Sequence, residues 1–147
     1  MKAFAYNLEK ILKLRTHYEE EAKIELGRAV GILSDIERKL MVLAEETVRA
    51  QASQFSSENS AVQIQQYMFY LVRLENIREQ LLQDLTIAEM KVDEARELYL
   101  EASRERKVLD KLKDKRRNEY RKTVLAEDIK TLDDLSAARR IGAESGI

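Results

Sequence analysis

The chain has 147 residues, of which 36% are charged and 6% aromatic, and it contains no proline, cysteine or tryptophan. Proline makes up about 5% of ordinary sequences, so its absence favours long helices, whose interiors proline disrupts. The absence of cysteine excludes disulfides and thiolate metal sites. The net charge of −1 does not point to nucleic acid or a membrane as a partner of the whole chain.

Apolar residues in the first third of the chain recur at alternating spacings of three and four, as in a coiled-coil helix. The series contains one repeated four-residue step, from Ala22 to Leu26, which indicates a stutter. It predicts a first helix over residues about 4–52. The positions are Phe4, Leu8, Ile11, Arg15, Tyr18, Ala22, Leu26, Ala29, Leu33, Ile36, Leu40, Leu43, Thr47 and Ala50.

Turn-forming and capping residues follow, which predicts a loop over residues about 53–60. Ser60 and Gln63 have the spacing of a capping box at the start of a second helix. Alternating three- and four-residue steps then resume and predict a helix over residues about 61–141. The positions up to residue 109 are Ile64, Tyr67, Leu71, Leu74, Arg78, Leu81, Leu85, Ala88, Val92, Ala95, Tyr99, Ala102, Arg106 and Leu109.

Two long helices joined by a short loop predict an all-α, antiparallel coiled-coil hairpin that forms a single elongated unit over residues 1–147. The second helix is the longer one, so about 30 C-terminal residues are expected to lack a partner within the chain. Thr131 and Asp134 have the spacing of a second capping box, so a break near residues 125–131 is an alternative to a continuous helix.

The residues needed for catalysis or cofactor binding are not grouped in this sequence. There is one histidine, His17, and the four glycines form no phosphate-binding loop. We therefore expect no catalytic, cofactor or metal site. No apolar stretch approaches the length of a membrane span, and the N-terminus does not resemble a signal peptide, so we expect a cytoplasmic protein without direct membrane insertion.

Residues 104–122 contain ten basic and four acidic residues. An exposed helix often carries such mixed charge, and a basic helix can also follow nucleic-acid phosphates. The acidic residues that follow this segment and the lack of interleaved aromatic residues argue against nucleic acid. An acidic protein surface is the better complement.

Apolar residues outside the predicted seam indicate further contacts. The run from Tyr67 to Tyr70 points around most of a helix, so it either faces a partner or packs locally against the loop, including Phe55. Gly27 and Gly31 either allow the close approach of a partner or have no role. The sequence leaves both pairs of alternatives open.

The layout resembles the FliJ family of flagellar type III export proteins over essentially the whole chain. The shared features are the unequal helices, the position of the loop and the tail Leu132-Asp133-Asp134-Leu135 followed by Arg139. The residues that carry the resemblance elsewhere are Phe4, Leu8, Leu12, Leu14, Arg15, Glu20, Ala22, Leu26, Leu71, Leu74, Lys111, Leu112, Lys113, Glu119 and Tyr120.

The resemblance implies a fold similar to the central-stalk gamma subunit of rotary ATPases, with the helical ends inside a hexameric flagellar export ATPase ring. It also implies binding to the export gate protein FlhA and to export chaperones, at the inner face of the membrane beside the flagellar basal body. Leu43, Tyr70 and Leu74 match the family pattern at the gate. The residues expected at the ring are Lys115, Arg116, Arg117, Tyr120, Leu132 and Leu135.

Two other functions are compatible with the same periodic pattern. One is a generic structural or tethering coiled coil with no role in export. The other is a rotor-like subunit of a V-type ATPase. Co-purification with an export ATPase would favour the FliJ-like function over a generic tether.

Overall fold

The computed structural model describes residues 2–54, 56 and 58–146 as two α-helices joined by a short loop. Helix α1 spans Glu9–Gln54 and helix α2 spans Ala61–Ser145. No strand occurs in the part of the chain that the structure describes. The all-α helical hairpin predicted from the sequence is confirmed.

The loop contains the predicted capping box. The backbone N–H of Ser60 donates to Gln63 Oε1 at 2.9 Å, and the N–H of Gln63 donates to Ser60 Oγ at 3.3 Å. This reciprocal pair satisfies two N–H groups at the start of α2, and the prediction is confirmed. On the other side of the loop, the Asn59 side-chain amide donates to the carbonyl of Ser53 near the end of α1. Phe55 lies outside the described residues.

The chain divides into two compact units, and both helices contribute to each of them. We call Tyr18–Ala102 the hairpin unit. We call Met1–His17 together with Ser103–Ile147 the terminal unit.

The core of the hairpin unit is narrow and consists of seam residues from both helices. Leu43, Ala50 and Leu74 form a buried cluster, and Ala88 and Val92 are also buried. All five belong to the series predicted from the sequence. Burial of these apolar side chains is the main force that holds the two helices of this unit together.

The start of α1 uses a different register from the predicted one. Leu12 is only 6% exposed, whereas Ile11 and Tyr18, which the predicted series uses, are both 45% exposed. The least exposed positions keep alternating three- and four-residue steps, so the predicted stutter is wrong. The charged residue Glu19 concealed this register in the sequence, because the predicted series used Tyr18 in its place. The positions are Leu8, Leu12, Arg15, Glu19, Ala22 and Leu26.

Helix α1 begins at Glu9, five residues later than expected. The N–H of Glu9 donates to the carbonyl of Tyr6 at 3.1 Å across a turn, and residues 2–6 are not helical. The rings of Phe4 and Tyr6 are instead engaged by side chains of α2. Residues 2–6 therefore contact α2 in a non-helical conformation and do not extend α1.

Helix α2 passes through residues 125–131 without the break that the sequence offered as an alternative. Thr131 Oγ1 donates to the carbonyl of Glu127 at 2.9 Å, one turn back along the same helix. The hydroxyl is thus used within a continuous helix and does not cap a new one. The helix ends at Ser145, four residues beyond the expected end.

Candidate functional site

The three residues expected at the export gate differ in exposure. Leu43 and Leu74 are 7% and 3% exposed and belong to the buried core of the hairpin unit. Tyr70 is 41% exposed. Of the three, only Tyr70 leaves a large part of its side chain exposed, whereas the two leucines pack α1 against α2.

An apolar groove of about 390 Å³ lies directly over Leu43 and Leu74. Val42 on α1 and Ile77 on α2 line it and are 48% and 41% exposed. Exposed apolar grooves of this kind are typical of sites that bind the apolar face of a helix, because binding removes the aliphatic side chains from water. The remaining lining residues are Arg38, Lys39, Glu46 and Leu81.

The aromatic run after the loop lies mostly on the surface. Phe69 is 67% exposed and Met68 is 55% exposed, while Tyr67 is partly buried. Local packing therefore does not cover this run, apart from Tyr67. Phe69 and Met68 enlarge the exposed apolar surface of the hairpin unit.

In the terminal unit, three of the six residues expected at the ATPase ring, Arg116, Arg117 and Tyr120, contact the segment Lys2–Asn7 before α1, which we call the N-terminal strap. Arg116 Nη1 donates to Asn7 Oδ1 at 2.6 Å, and the Arg116 guanidinium lies 5.9 Å from the centre of the Tyr6 ring. Tyr6 is 8% exposed, and its hydroxyl donates to the carbonyl of Leu109 at 3.2 Å. A cation–π contact and two hydrogen bonds therefore fix the strap here.

The outer end of the strap packs on the next turn of α2. The Phe4 and Tyr120 rings are 5.6 Å apart between centres and tilted by 48°. The Tyr120 hydroxyl donates to the carbonyl of Lys2 at 2.6 Å. The Arg117 guanidinium lies 5.9 Å from the centre of the Phe4 ring. Each ring of the strap thus has an arginine of α2 beside it.

An ion pair joins α1 to α2 next to the strap. Lys113 Nζ lies 2.7 Å from Glu9 Oε2. The hydrogen bond from Lys113 lowers the pKa of Glu9 below its ordinary value of 4.5, and burial of the carboxyl opposes this shift. The positive charges of Lys113, Lys13 and Arg117 lower it further. The carboxylate is therefore ionised at neutral pH.

The strap supplies a partner for part of α2 beyond the region that α1 covers. It contacts side chains and backbone of α2 between Leu109 and Tyr120. Beyond Tyr120, every described residue except Val124 is exposed. The segment of α2 that the rest of the described chain leaves uncovered therefore begins near Arg121.

This exposed segment, residues 121–146, carries an apolar row. Its members recur at steps of four, three and three and so share one broad face of the helix. Leu132 and Leu135, both expected at the ring, belong to it and are 63% and 57% exposed. The other members are Leu125, which is 61% exposed, and Ile129, which is 52% exposed. Lys115, the remaining candidate, is exposed within the basic segment.

The residues that the prediction of the site missed are those of the strap. The periodic pattern places Phe4 in the helical seam and predicts no role for Tyr6 and Asn7. Two aromatic residues separated by one position do not fit a helical repeat, and this spacing was the available signal. It distinguishes an extended segment from the first turn of a helix.

The two units also differ in charge. The terminal unit contains 17 basic and 10 acidic residues, a net charge of +7, whereas the hairpin unit contains 9 basic and 17 acidic residues, a net charge of −8. The net charge of −1 for the whole chain conceals this separation. The terminal unit therefore attracts negative charge and the hairpin unit attracts positive charge at long range.

The part of the chain that the structure describes holds no group of three or more side chains suited to binding a metal ion. Within the same residues, neither helix has a stretch both long and apolar enough to span a bilayer. The features described above are all surfaces: the apolar groove, the strap with its arginines, and the exposed C-terminal segment.

A family model described as flagellar FliJ protein matches residues 4–145 of the chain. No curated protein and no solved structure matches it. The FliJ family is a structural component of flagellar export and is not a known enzyme family. Because the match spans nearly the entire sequence, the chain belongs to the FliJ family and is a component of the flagellar export apparatus.

Proposed function

We propose that the chain is a non-enzymatic stalk of the export apparatus, which binds the hexameric export ATPase through its terminal unit. The observation that carries this proposal is the exposed helical segment 121–146 with its apolar row. Exposed apolar side chains aligned on one face of a single helix favour insertion into an apolar channel or groove. We therefore place this segment in the axial opening of the hexameric ring.

The basic part of α2 next to this segment supports the same assignment. Lys115, Arg116 and Arg117 lie in the unit with a net charge of +7, which favours an acidic surface on the ATPase as its partner. Reversing these three charges is expected to weaken ring binding and to reduce its dependence on salt. Binding of one chain per six ATPase subunits is the expected stoichiometry.

A truncation tests the proposal. Ending the chain after Lys122 removes the exposed segment but keeps the contacts of the strap, which reach only to Tyr120. We expect the truncated chain to melt at nearly the same temperature as the full chain and to lose stimulation of the export ATPase. Normal stimulation by the truncated chain would contradict the stalk function and favour a generic tether.

Paired substitutions provide a finer test of the same segment. Leu132→Ser with Leu135→Ser removes half of the apolar row, whereas Ala137→Ser with Ala138→Ser changes exposed residues away from it. Only the first pair is expected to reduce ATPase stimulation. Equal effects of the two pairs would show that the row is not the contact.

We further propose that the hairpin unit binds the export gate protein FlhA and export chaperones, which brings the chain to the inner face of the membrane at the basal body. Tyr70 and the apolar groove lined by Val42 and Ile77 support this assignment, because they are exposed and adjoin the predicted positions. Tyr70→Ala with Ile77→Ser is expected to weaken binding to purified FlhA without changing ATPase stimulation. A loss of both activities in a variant whose helices are retained by circular dichroism would contradict separate sites.

A further inference from the structure

The N-terminal strap holds two long cationic side chains in place. Arg116 is fixed by its bond to Asn7 Oδ1 at 2.6 Å and by the Tyr6 ring at 5.9 Å. Arg117 lies over the Phe4 ring at the same distance. An arginine side chain on an exposed helix otherwise samples many rotamers, and an interaction partner must restrict them on binding. The strap restricts both before any partner arrives.

The strap does not bury these guanidinium groups. Arg116 is exposed and Arg117 is only partly buried. A guanidinium carries five N–H donors in a rigid plane, and the bond to Asn7 uses one at Nη1. The strap therefore does not have to be displaced before the arginines can bind a partner. It orders the arginines and leaves them accessible to carboxylates.

We propose that Phe4, Tyr6 and Asn7 are positioning residues for partner binding, which orient Arg116 and Arg117 towards carboxylates on the export ATPase ring. This inference rests on the ring contact proposed above and adds the strap to it. Affinity rises because less side-chain freedom is lost on binding, which is the general effect of preorganisation. Planar guanidinium and carboxylate groups then pair through parallel hydrogen bonds.

Two substitutions at Tyr6 separate positioning from general packing. Tyr6→Phe keeps the ring beside Arg116 and loses the hydroxyl bond to Leu109, whereas Tyr6→Leu keeps an apolar side chain and loses the ring. We expect Tyr6→Leu to weaken binding to the purified ATPase ring by roughly tenfold, as loss of a cation–π contact and its ordering effect would. Tyr6→Phe should stay within about twofold of the unmodified chain.

A double-mutant cycle with Arg116→Ala then shows whether Tyr6 acts through Arg116. If it does, Tyr6→Leu has its full effect in the unmodified chain and almost none when Arg116 is already alanine. Equal weakening in both backgrounds, or no weakening in either, would overturn the proposed positioning role. Circular dichroism of each variant checks that the helices are retained.

The same cycle separates failure of this inference from failure of the ring contact itself. If Arg116→Ala and Arg117→Ala both leave ring binding unchanged, the proposed contact at this segment is wrong, and the positioning role falls with it. If the arginine variants weaken binding but Tyr6→Leu does not, the contact stands and only the role of the strap is overturned.

Discussion

The hairpin and terminal units hold the same helix, α2, by different kinds of contact. In the hairpin unit, α1 packs against α2 through buried aliphatic side chains such as Leu43 and Leu74. In the terminal unit, the non-helical strap holds α2 through rings, arginines and hydrogen bonds. Apolar burial is insensitive to moderate salt, whereas exposed ionic contacts are screened by it. The contacts that hold α2 in the two units should therefore respond differently to salt.

Replacing a buried seam residue should have the largest effect. Leu74 is 3% exposed, so Leu74→Asp would place a charge in the core of the hairpin unit and lower the free energy of unfolding by about 3–5 kcal/mol. Ile77→Asp, at a site that is 41% exposed, should cost less than about 1 kcal/mol. Urea unfolding measures both. Similar losses would refute the description of this core.

Removing the strap should destabilise only the part of α2 that the strap contacts. Deleting residues 2–7 is expected to raise amide hydrogen exchange in residues 109–120 by roughly tenfold, towards the rate in residues 121–145, because contacts that oppose local opening are lost. Exchange in residues 61–102 should not change. Mass spectrometry of exchanged peptides measures this, and deletion of residues 138–146 is the control. Unchanged exchange in residues 109–120 would mean that the strap does not stabilise the helix there.

Substitution of two glycines of α1 should raise the stability of the chain, in contrast to the two preceding changes. A Cβ added at Gly27 or Gly31 meets no atom within 4 Å, so neither glycine is needed for close packing within the chain. Alanine at either position should raise the free energy of unfolding by about 0.5–1 kcal/mol through helix propensity. Ala29→Gly, at a partly buried seam position between them, should lower it. Thermal melts decide this, and a loss of stability in both glycine variants would contradict it.

The smallest expected effect is the pH dependence of the Glu9–Lys113 pair. The pKa of Glu9 is lower in the folded chain than in the unfolded chain. Its stabilising contribution is therefore present above the unfolded pKa and is lost as the pH falls through the folded value. Glu9→Gln should lower the melting temperature slightly at pH 7, and this effect should fade as the pH is lowered through the folded pKa of Glu9. A difference that persisted at low pH would exclude this ion pair as its cause.

The sequence predicted the parts of the fold that depend on regular spacing. Leu74, Ala88 and Val92 recur with the coiled-coil repeat and are buried, and Ser60 with Gln63 forms the predicted cap. Both follow from local rules, in which a residue's neighbours along the helix determine its environment. The family resemblance rests on the same regular features, and it is confirmed.

The parts that were missed depend on contacts between residues far apart in the chain. Phe4 fits a helical seam by spacing alone, and nothing near it in sequence reveals Tyr120 as its neighbour. Near the start of α1, Glu19 occupies a seam position. A repeat defined by apolar residues passes over a glutamate and predicts Tyr18 at the seam in its place, although Tyr18 is exposed. Charged residues at seam positions and aromatic residues outside helices both depart from the periodic rule.

The strap also has a consequence for the order in which the protein forms during synthesis. Its hydrogen bonds join residues 103, 109 and 118 positions apart, whereas the capping box joins residues three apart. A growing chain can close the loop and begin pairing its helices as soon as the residues around Leu74 have left the ribosome. The strap must wait until Tyr120 has followed. The strap residues are thus made long before their partners and are among the last to reach their native contacts.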